Sequence, residues 1–193
     1  MQQRARDTRQ KILKAACAEF SAKGLHGARV DLIAKRAGAN KERLYAYFGG
    51  KEQLFRVVLR EAFDDLIAAE QRLLTRLRAD PARLTEAILE HYLQFQEEHP
   101  HFWRLLAWEN LRGGKAAQGL SGIRAETFGE LKRLYRRRQP AVPFEAFIFT
   151  LTAVVFFLFS NRLTMSQTLD LDLASPAVRR RLLANVLQLI QHE

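Results

Sequence analysis

The apolar positions recur at helical spacing along the whole chain. Ile12, Leu13, Ala16, Cys17 and Phe20 form one stripe. They predict a helix from about Thr8 to Lys23, with Asp7 as its cap, Gln10 three residues on, and Gly24 as its stop. Leu32, Ile33 and Ala37 mark a short helix over residues 30–37. Gly38-Ala39 turns the chain, because glycine accepts the positive φ that a tight corner demands. Asn40 is a good cap for a helix over residues 41–48, where Leu44 and Phe48 lie one turn apart, and Gly49-Gly50 ends it. From Lys51 to about Ala79 the period holds through Leu54, Phe55, Val58, Leu59, Ala62, Phe63, Leu66, Leu73 and Leu77.

Asp80-Pro81 then pairs a cap with a proline at the first helical position, and the helix it opens reaches about His99. Pro100 starts the short helix "HFWRLLAWENL", and Gly113-Gly114 breaks the chain. Helices are predicted over residues 116–138, 144–165 and 175–190, with the breaker "QPAVP" before the second of these. No run alternates apolar and polar residues with β-branched enrichment, and no repeat is visible. The expected class is all-α, with about nine helices in two domains, residues 1–50 and 51–193.

Composition narrows the class. At 48% apolar residues, with 10 Gly and 5 Pro among 193, the chain can build a substantial core. A single cysteine, Cys17, forbids an intramolecular disulfide and fits a reducing cytoplasm. On its stripe Cys17 reads as a packed small hydrophobe. The start, "MQQRARDTRQKIL", has no apolar signal core. The longest apolar run, "AFIFTLTAVVFFLF", falls short of the roughly 20 residues a bilayer requires, and Asn161 and Arg162 follow at once. It reads as a buried helix, with no membrane partner.

Net charge is +10, and it is unevenly placed. Residues 1–50 hold 11 Lys/Arg against 4 Asp/Glu, and the remainder 20 against 17. A basic first quarter on a nearly neutral body suggests a polyanion-binding N-terminal domain.

Two short helices joined by a glycine turn, after a helix that can pack across them, is a helix-turn-helix arrangement. The second helix of such a unit enters the major groove with its N-terminal end first. If Leu44 and Phe48 dock it, then Lys41, Glu42, Tyr45 and Ala46 face outward, with Arg43 and Tyr47 on the flanks. Arg43 suits guanine O6 and N7, and Glu42 suits cytosine N4. Tyr45, Tyr47 and Lys51 suit phosphate oxygens, and Lys51 also stands at a helix N-terminus. Arg29 is placed for a phosphate, and Arg4, Arg6 and Arg9 can reach backbone or minor groove if the arm is ordered. Asn40, Lys41, Glu42, Arg43, Tyr45, Ala46, Tyr47, Lys51 and Arg29 are the candidate DNA-facing set.

The stretch from Arg9 to Leu59, and "AGANKERLYAYFGGKEQLF" above all, resembles the tetracycline-repressor-like (TetR) family of bacterial one-component regulators. The resemblance implies a cytoplasmic homodimer with an N-terminal helix-turn-helix domain and a C-terminal helical domain for effector binding and dimerisation. It implies release from a near-palindromic operator by a small-molecule effector. By position it makes Lys41, Glu42, Arg43, Tyr45 and Ala46 base-facing or base-adjacent, and Tyr47 and Lys51 phosphate contacts. It pairs the last two long helices with their mates, putting Phe149, Phe156, Phe157, Val186 and Ile190 at the dimer interface. The family often carries small residues where Glu42 and Arg43 stand, so Glu42 either reads a base or orients Arg43.

For the effector pocket the candidates are His91, Phe95, Phe102, Trp103, Trp108 and Phe128, which suit an apolar or aromatic effector. His26, His91, His99, His101 and His192 show no metal-ligand grouping, so neither metal nor cofactor is expected. "KRLYRRR", residues 132–138, reads as a solvated helix end favoured by the helix dipole. The competing reading is a helical enzyme or ligand-binding protein with an incidentally basic start. The absence of a nucleophile–base pair or a phosphate loop weighs against it.

Overall fold

The computed structural model describes residues 2–138 and 140–191; His192 lies outside them. Among the described residues there are ten α-helices, two short 3-10 segments and no strand. The helices are α1 (Gln2–Gly27), α2 (Val30–Arg36), α3 (Lys41–Phe48), α4 (Lys51–Ala79), α5 (Leu84–Glu98), α6 (Phe102–Leu111), α7 (Ala125–Arg136), α8 (Phe144–Ser160), α9 (Arg162–Thr168) and α10 (Pro176–Gln191).

Several boundaries differ from the expected ones, each for a physical reason. Helix α1 starts at Gln2 and not at Thr8, because nothing upstream of Asp7 breaks a run of good helix formers. Asp7 therefore sits inside the helix, accepting from Gln3 Nε2 at 2.9 Å, and Arg4 and Arg6 ride on exposed helix. Gly24 stops the regular helix as expected, at φ 64 and ψ −179, and one more turn follows it.

The helix expected over 116–138 is divided. A 3-10 segment, Ala117–Leu120, is followed by a turn with Gly122 at φ 71, and only then by α7. The buried Glu109 carboxylate accepts from the N–H groups of Ala116 and, at 3.1 Å, Ala117, so those donors serve the loop. Arg112 Nη1 holds the other carboxylate oxygen at 3.0 Å.

The helix expected over 144–165 bends by 80° at Asn161, separating α8 from α9. Asn161, at φ −110 and ψ 12, leaves the helical region there, and its side-chain amide donates to Ser160 Oγ at 2.9 Å. No single helix among the described residues is long and apolar enough to cross a membrane. The apolar α8 is only half buried: Phe144, Phe147, Ile148, Leu151, Val155 and Phe159 are inside, while Phe149 is 71% exposed and Phe157 50%.

By packing, the chain divides into two units at boundaries other than residue 50. The first comprises Met1–Asp65 and Pro100–Ile123, the second Leu66–His99 and Arg124–Glu193. Helix α4 gives its first half to one and its second half to the other. The first unit closes on Ile12, Leu13, Phe20, Ile33, Leu44, Leu54, Phe55, Leu59 and Leu105. Phe20 and Phe55 meet edge to face at 5.2 Å between ring centres. Helix α6 joins this unit through Trp108, whose indole N–H donates to Ser21 O at 3.3 Å and whose ring lies against Gly24. Cys17 is half buried here, and burial, then Asp65 and Glu61, push its thiol up to about 11, so it stays protonated.

In the second unit α5 packs on α8 and α10, and α7 packs on α8. Tyr135 stacks on Phe147 and donates its hydroxyl to Val142 O at 2.7 Å, fastening the segment between α7 and α8.

Candidate nucleic-acid interface and ligand cavity

Helix α3 is short and would not persist alone. Three features hold it. The Asn40 side chain accepts from the Arg43 N–H at 2.9 Å, capping the N-terminus. Gly49, at φ 73, closes the C-terminus with its N–H on Tyr45 O at 2.7 Å. Leu44 and Phe48 are buried, and the Arg9 guanidinium lies 5.3 Å from the Phe48 ring.

With those two side chains inward, Lys41, Glu42, Arg43, Tyr45 and Ala46 are exposed together on one helix, and Asn40 is exposed at its start. Tyr47 is half buried, tilted against Phe48 at 6.2 Å. Lys51 Nζ donates to His26 O at 3.1 Å, which fixes the ammonium at the start of α4. Arg29 is exposed but engaged, donating to Asp31 from Nη2 at 2.8 Å and from Nε at 3.4 Å. That pairing holds the Asp31 carboxyl below its usual range.

One positioning residue gives only a weak sequence signal. Glu19, on the inner face of α1, is buried and accepts from Arg36 Nη1 at 2.6 Å and from the Arg29 N–H at 3.4 Å. It ties α1 to both ends of α2. A lone carboxylate beside the stripe residue Phe20 is the only cue in the sequence.

The second unit holds a buried polar network that the periodicity does not reveal. The Glu70 carboxylate, 0% exposed, accepts from Tyr92 Oη at 2.8 Å, from Thr127 Oγ1 at 2.7 Å, and from Arg124 through Nε at 3.3 Å and through Nη2. Arg124 Nη2 also donates to Tyr92 Oη at 2.6 Å. Burial pushes the Tyr92 hydroxyl above the usual phenol range, so it remains a donor. Helices α4, α5 and α7 are thereby locked together.

One turn along α4 and α5 from this network lies a cavity of about 390 Å³, lined by Ala69, Arg72, Arg76, His91, Gln94, Phe95 and Glu98. It is within the size range of small-molecule sites. His91 is buried, and its Nε2 has no hydrogen-bond partner among the described residues. Burial first, then Arg76, Arg72 and Arg124, push its imidazole down to about 4, so it is neutral at pH 7. A second hollow, about 600 Å³, lies between α5 and α10 over Leu89, Leu93, Leu183 and Leu187.

Of the aromatic candidates, His91 and Phe95 line the 390 Å³ cavity together. The lining does not include Phe102, Trp103, Trp108 or Phe128. Phe102 packs edge-on against Phe63 in the first unit, and Trp103 lies under the Arg104 guanidinium. Phe128 stacks beneath the Arg124 guanidinium at 3.9 Å. Of the interface candidates, Phe149 and Phe157 are exposed, and Phe156, Val186 and Ile190 are half exposed. No group of three or more His, Cys, Asp or Glu side chains among the described residues has the arrangement of a metal site.

A capped helix offering five exposed side chains after the short helix α2, in a chain that also carries an all-helical unit with a cavity, has the arrangement of a helix-turn-helix regulator. Comparison with known proteins agrees. Residues 12–58 match the model of bacterial regulatory proteins of the tetR family, and residues 81–190 match the tetracyclin repressor-like C-terminal domain. The chain is 34% identical over 181 residues to the HTH-type transcriptional repressor NicS of Pseudomonas putida, covering 89% of this chain and 85% of NicS. It is 34% identical over 153 residues to the HTH-type transcriptional repressor SCO4008 of Streptomyces coelicolor, 76% of each. Among solved structures, the Streptomyces coelicolor protein SCO4942 superposes with a TM-score of 0.68 at 26% identity, covering 95% of this chain and 97% of that one. The chain belongs to the tetracycline-repressor family of bacterial transcriptional regulators. It is a DNA-binding regulator and not an enzyme.

Proposed function

We propose that this protein is a cytoplasmic, homodimeric repressor that leaves a near-palindromic operator when a small molecule occupies its second unit. The observation that carries the reading is the joint exposure of Lys41, Glu42, Arg43, Tyr45 and Ala46 on a helix docked by Leu44 and Phe48. Arg43 and Glu42 read base edges, and Lys41 and Tyr45 stand beside them. Tyr47, Lys51 and Arg29 anchor phosphates and set the register. The repressor names of NicS and SCO4008 support the direction of regulation.

Dimerisation through α8 and α10 gives the exposed Phe149, Phe157 and Leu189 an occupant: the same face of a second copy. Two copies of α3 then address half-sites on the order of 34–36 Å apart, or somewhat more. An effector that binds one dimer geometry better than the other lowers operator affinity by population shift.

The test starts from operators recovered by genomic footprinting. Replacing Lys41, Arg43 and Tyr45 together by Ala abolishes specific binding in a gel shift at controlled salt and leaves the dimer intact. Unchanged affinity would sink the reading. A flat dependence of wild-type binding on salt would favour instead a ligand-binding protein indifferent to DNA, because phosphate neutralisation makes affinity fall steeply with salt.

A further inference from the structure

We propose that the 390 Å³ cavity takes a small organic carboxylate, held by Arg72 and Arg76 and by the Nε2–H of His91. This rests on the reading of the second unit as the effector-binding part of the chain.

Arg72 and Arg76 stand one turn apart on the same face of α4. Both are exposed, and no ion pair engages either guanidinium among the described residues. Unpaired guanidinium forks at the mouth of a cavity match the planar, two-oxygen geometry of a carboxylate.

The opposite wall adds a directional group. His91 stands in this wall with a buried Nε2 that has no hydrogen-bond partner among the described residues, and a buried polar atom without a partner is the kind of gap a ligand fills once the ring turns toward it. Its imidazole is neutral, because burial and the nearby arginines hold its proton affinity down, and the tautomer with the proton on Nε2 is a donor. Glu98 also lines the space, but its carboxylate is held by Gln94 Nε2 at 2.7 Å. Two cations against one carboxylate leave the wall positive. Phe95, 2% exposed and stacked on His99, lines the space together with Ala69, and these apolar side chains favour a carbon skeleton over inorganic phosphate. The larger hollow between α5 and α10 has acidic residues on its rim and no orphaned polar atom, so it does not share this chemistry.

The experiment uses the full-length protein and four carboxylates: benzoate, 4-hydroxybenzoate, hexanoate and succinate. Benzamide and inorganic phosphate serve as controls. Binding is read by thermal shift and titration calorimetry. At least one carboxylate is expected to raise Tm while benzamide and phosphate do not. The double variant Arg72→Gln/Arg76→Gln, both exposed positions, is expected to fold as the wild type does and to raise the Kd at least about tenfold, the worth of a lost charge-assisted pair. His91→Gln, which keeps an N–H donor, is expected to retain more affinity than His91→Phe. No shift with any carboxylate, equal shifts with benzamide or phosphate, or an undiminished shift in the arginine variant would each overturn the proposal.

Operator release is measured separately by fluorescence anisotropy. Binding that is lost in the arginine variant without operator release upholds the carboxylate site and sinks its role as the effector site. Release by a neutral compound, with no carboxylate bound, sinks the site and leaves the regulator reading standing.

Discussion

Replacing Glu70 tests how much of the second unit depends on one carboxylate. Glu70 is 0% exposed and accepts four hydrogen bonds, from Tyr92, Thr127 and two nitrogens of Arg124. Glu70→Ala leaves a guanidinium and two hydroxyls facing an empty space. Breaking a buried ion pair from one side costs about 3–5 kcal/mol, because the remaining charge is uncompensated. The Arg124 side chain is 20% exposed and can recover part of its hydration, which places the expected cost near the lower end, about 3 kcal/mol. For a chain of this size that lowers Tm by about 6–12 °C.

The assay is urea unfolding followed by far-ultraviolet circular dichroism at one protein concentration, because the stability of a dimer depends on concentration. Glu70→Gln keeps an acceptor and loses the charge, so it falls between Glu70→Ala and wild type. The double variant Glu70→Leu/Arg124→Leu loses less than the sum of the two single variants, by at least about 1.5 kcal/mol, because their atoms share one network. A loss under about 1 kcal/mol for Glu70→Ala, the worth of an exposed pair, would falsify the buried lock.

Gly24→Ala is expected to destabilise the first unit by about 3 kcal/mol, since φ 64 with ψ −179 is a region essentially reserved for glycine and the new Cβ would sit 2.7 Å from the Trp108 ring; urea unfolding read by tryptophan fluorescence checks it, and a neutral change would refute it. His91 ties stability to pH: its folded pKa of about 4 lies below the ordinary 6.5, so the unfolded chain takes the proton first. The stability present above pH 6.5 is therefore lost as pH falls toward 4, by about 2 kcal/mol between pH 7 and 5, and a matched urea series on His91→Gln lacks that component. Phe149→Asp is expected to make the protein monomeric by sedimentation velocity, because a two-fold interface loses two phenyl groups at once, about 3–6 kcal/mol; a dimer that persists at micromolar concentration would place the interface elsewhere.

What could be read in advance depended on whether the cause was local. Helices α3 and α4 begin and end where Asn40, Gly49-Gly50 and the long apolar period put them, because caps and glycines act within a few residues. The division of residues 116–138 was not readable that way. Its cause is Glu109, seven and eight positions upstream of the N–H groups it binds, on a different helix. Glu70 was missed for a related reason. The apolar stripe passes from Leu66 to Leu73, and a carboxylate between them reads as a solvated interruption unless Tyr92, Arg124 and Thr127 are known to converge on it. An acid where the period calls for an apolar side chain is the available signal. The aromatic candidates separated for the same reason: composition shows that tryptophans exist, but only packing shows that Trp108 spends its face on Gly24 and its N–H on Ser21.

The two roles open to Glu42 are now unequal. If the carboxylate oriented Arg43, the pair would have to meet across a single peptide link, and neighbours in sequence diverge by about 100° around a helix. Among the described residues the Arg43 contact that forms is made by its backbone N–H, to the Asn40 cap, and no ion pair joins its guanidinium to Glu42. Arg29, by contrast, pairs with Asp31 two residues on through Nη2 and Nε while its side chain stays largely exposed. So the same structure pairs one arginine in part with a neighbouring carboxylate and leaves the other without an ion pair among the described residues. An arginine without an internal partner beside a carboxylate without one, at the N-terminal end of a capped and docked helix, is an arrangement in which each group keeps its hydrogen-bonding capacity for a base edge. That supports the proposal that Glu42 and Arg43 select bases while Lys51 and Arg29 set the register.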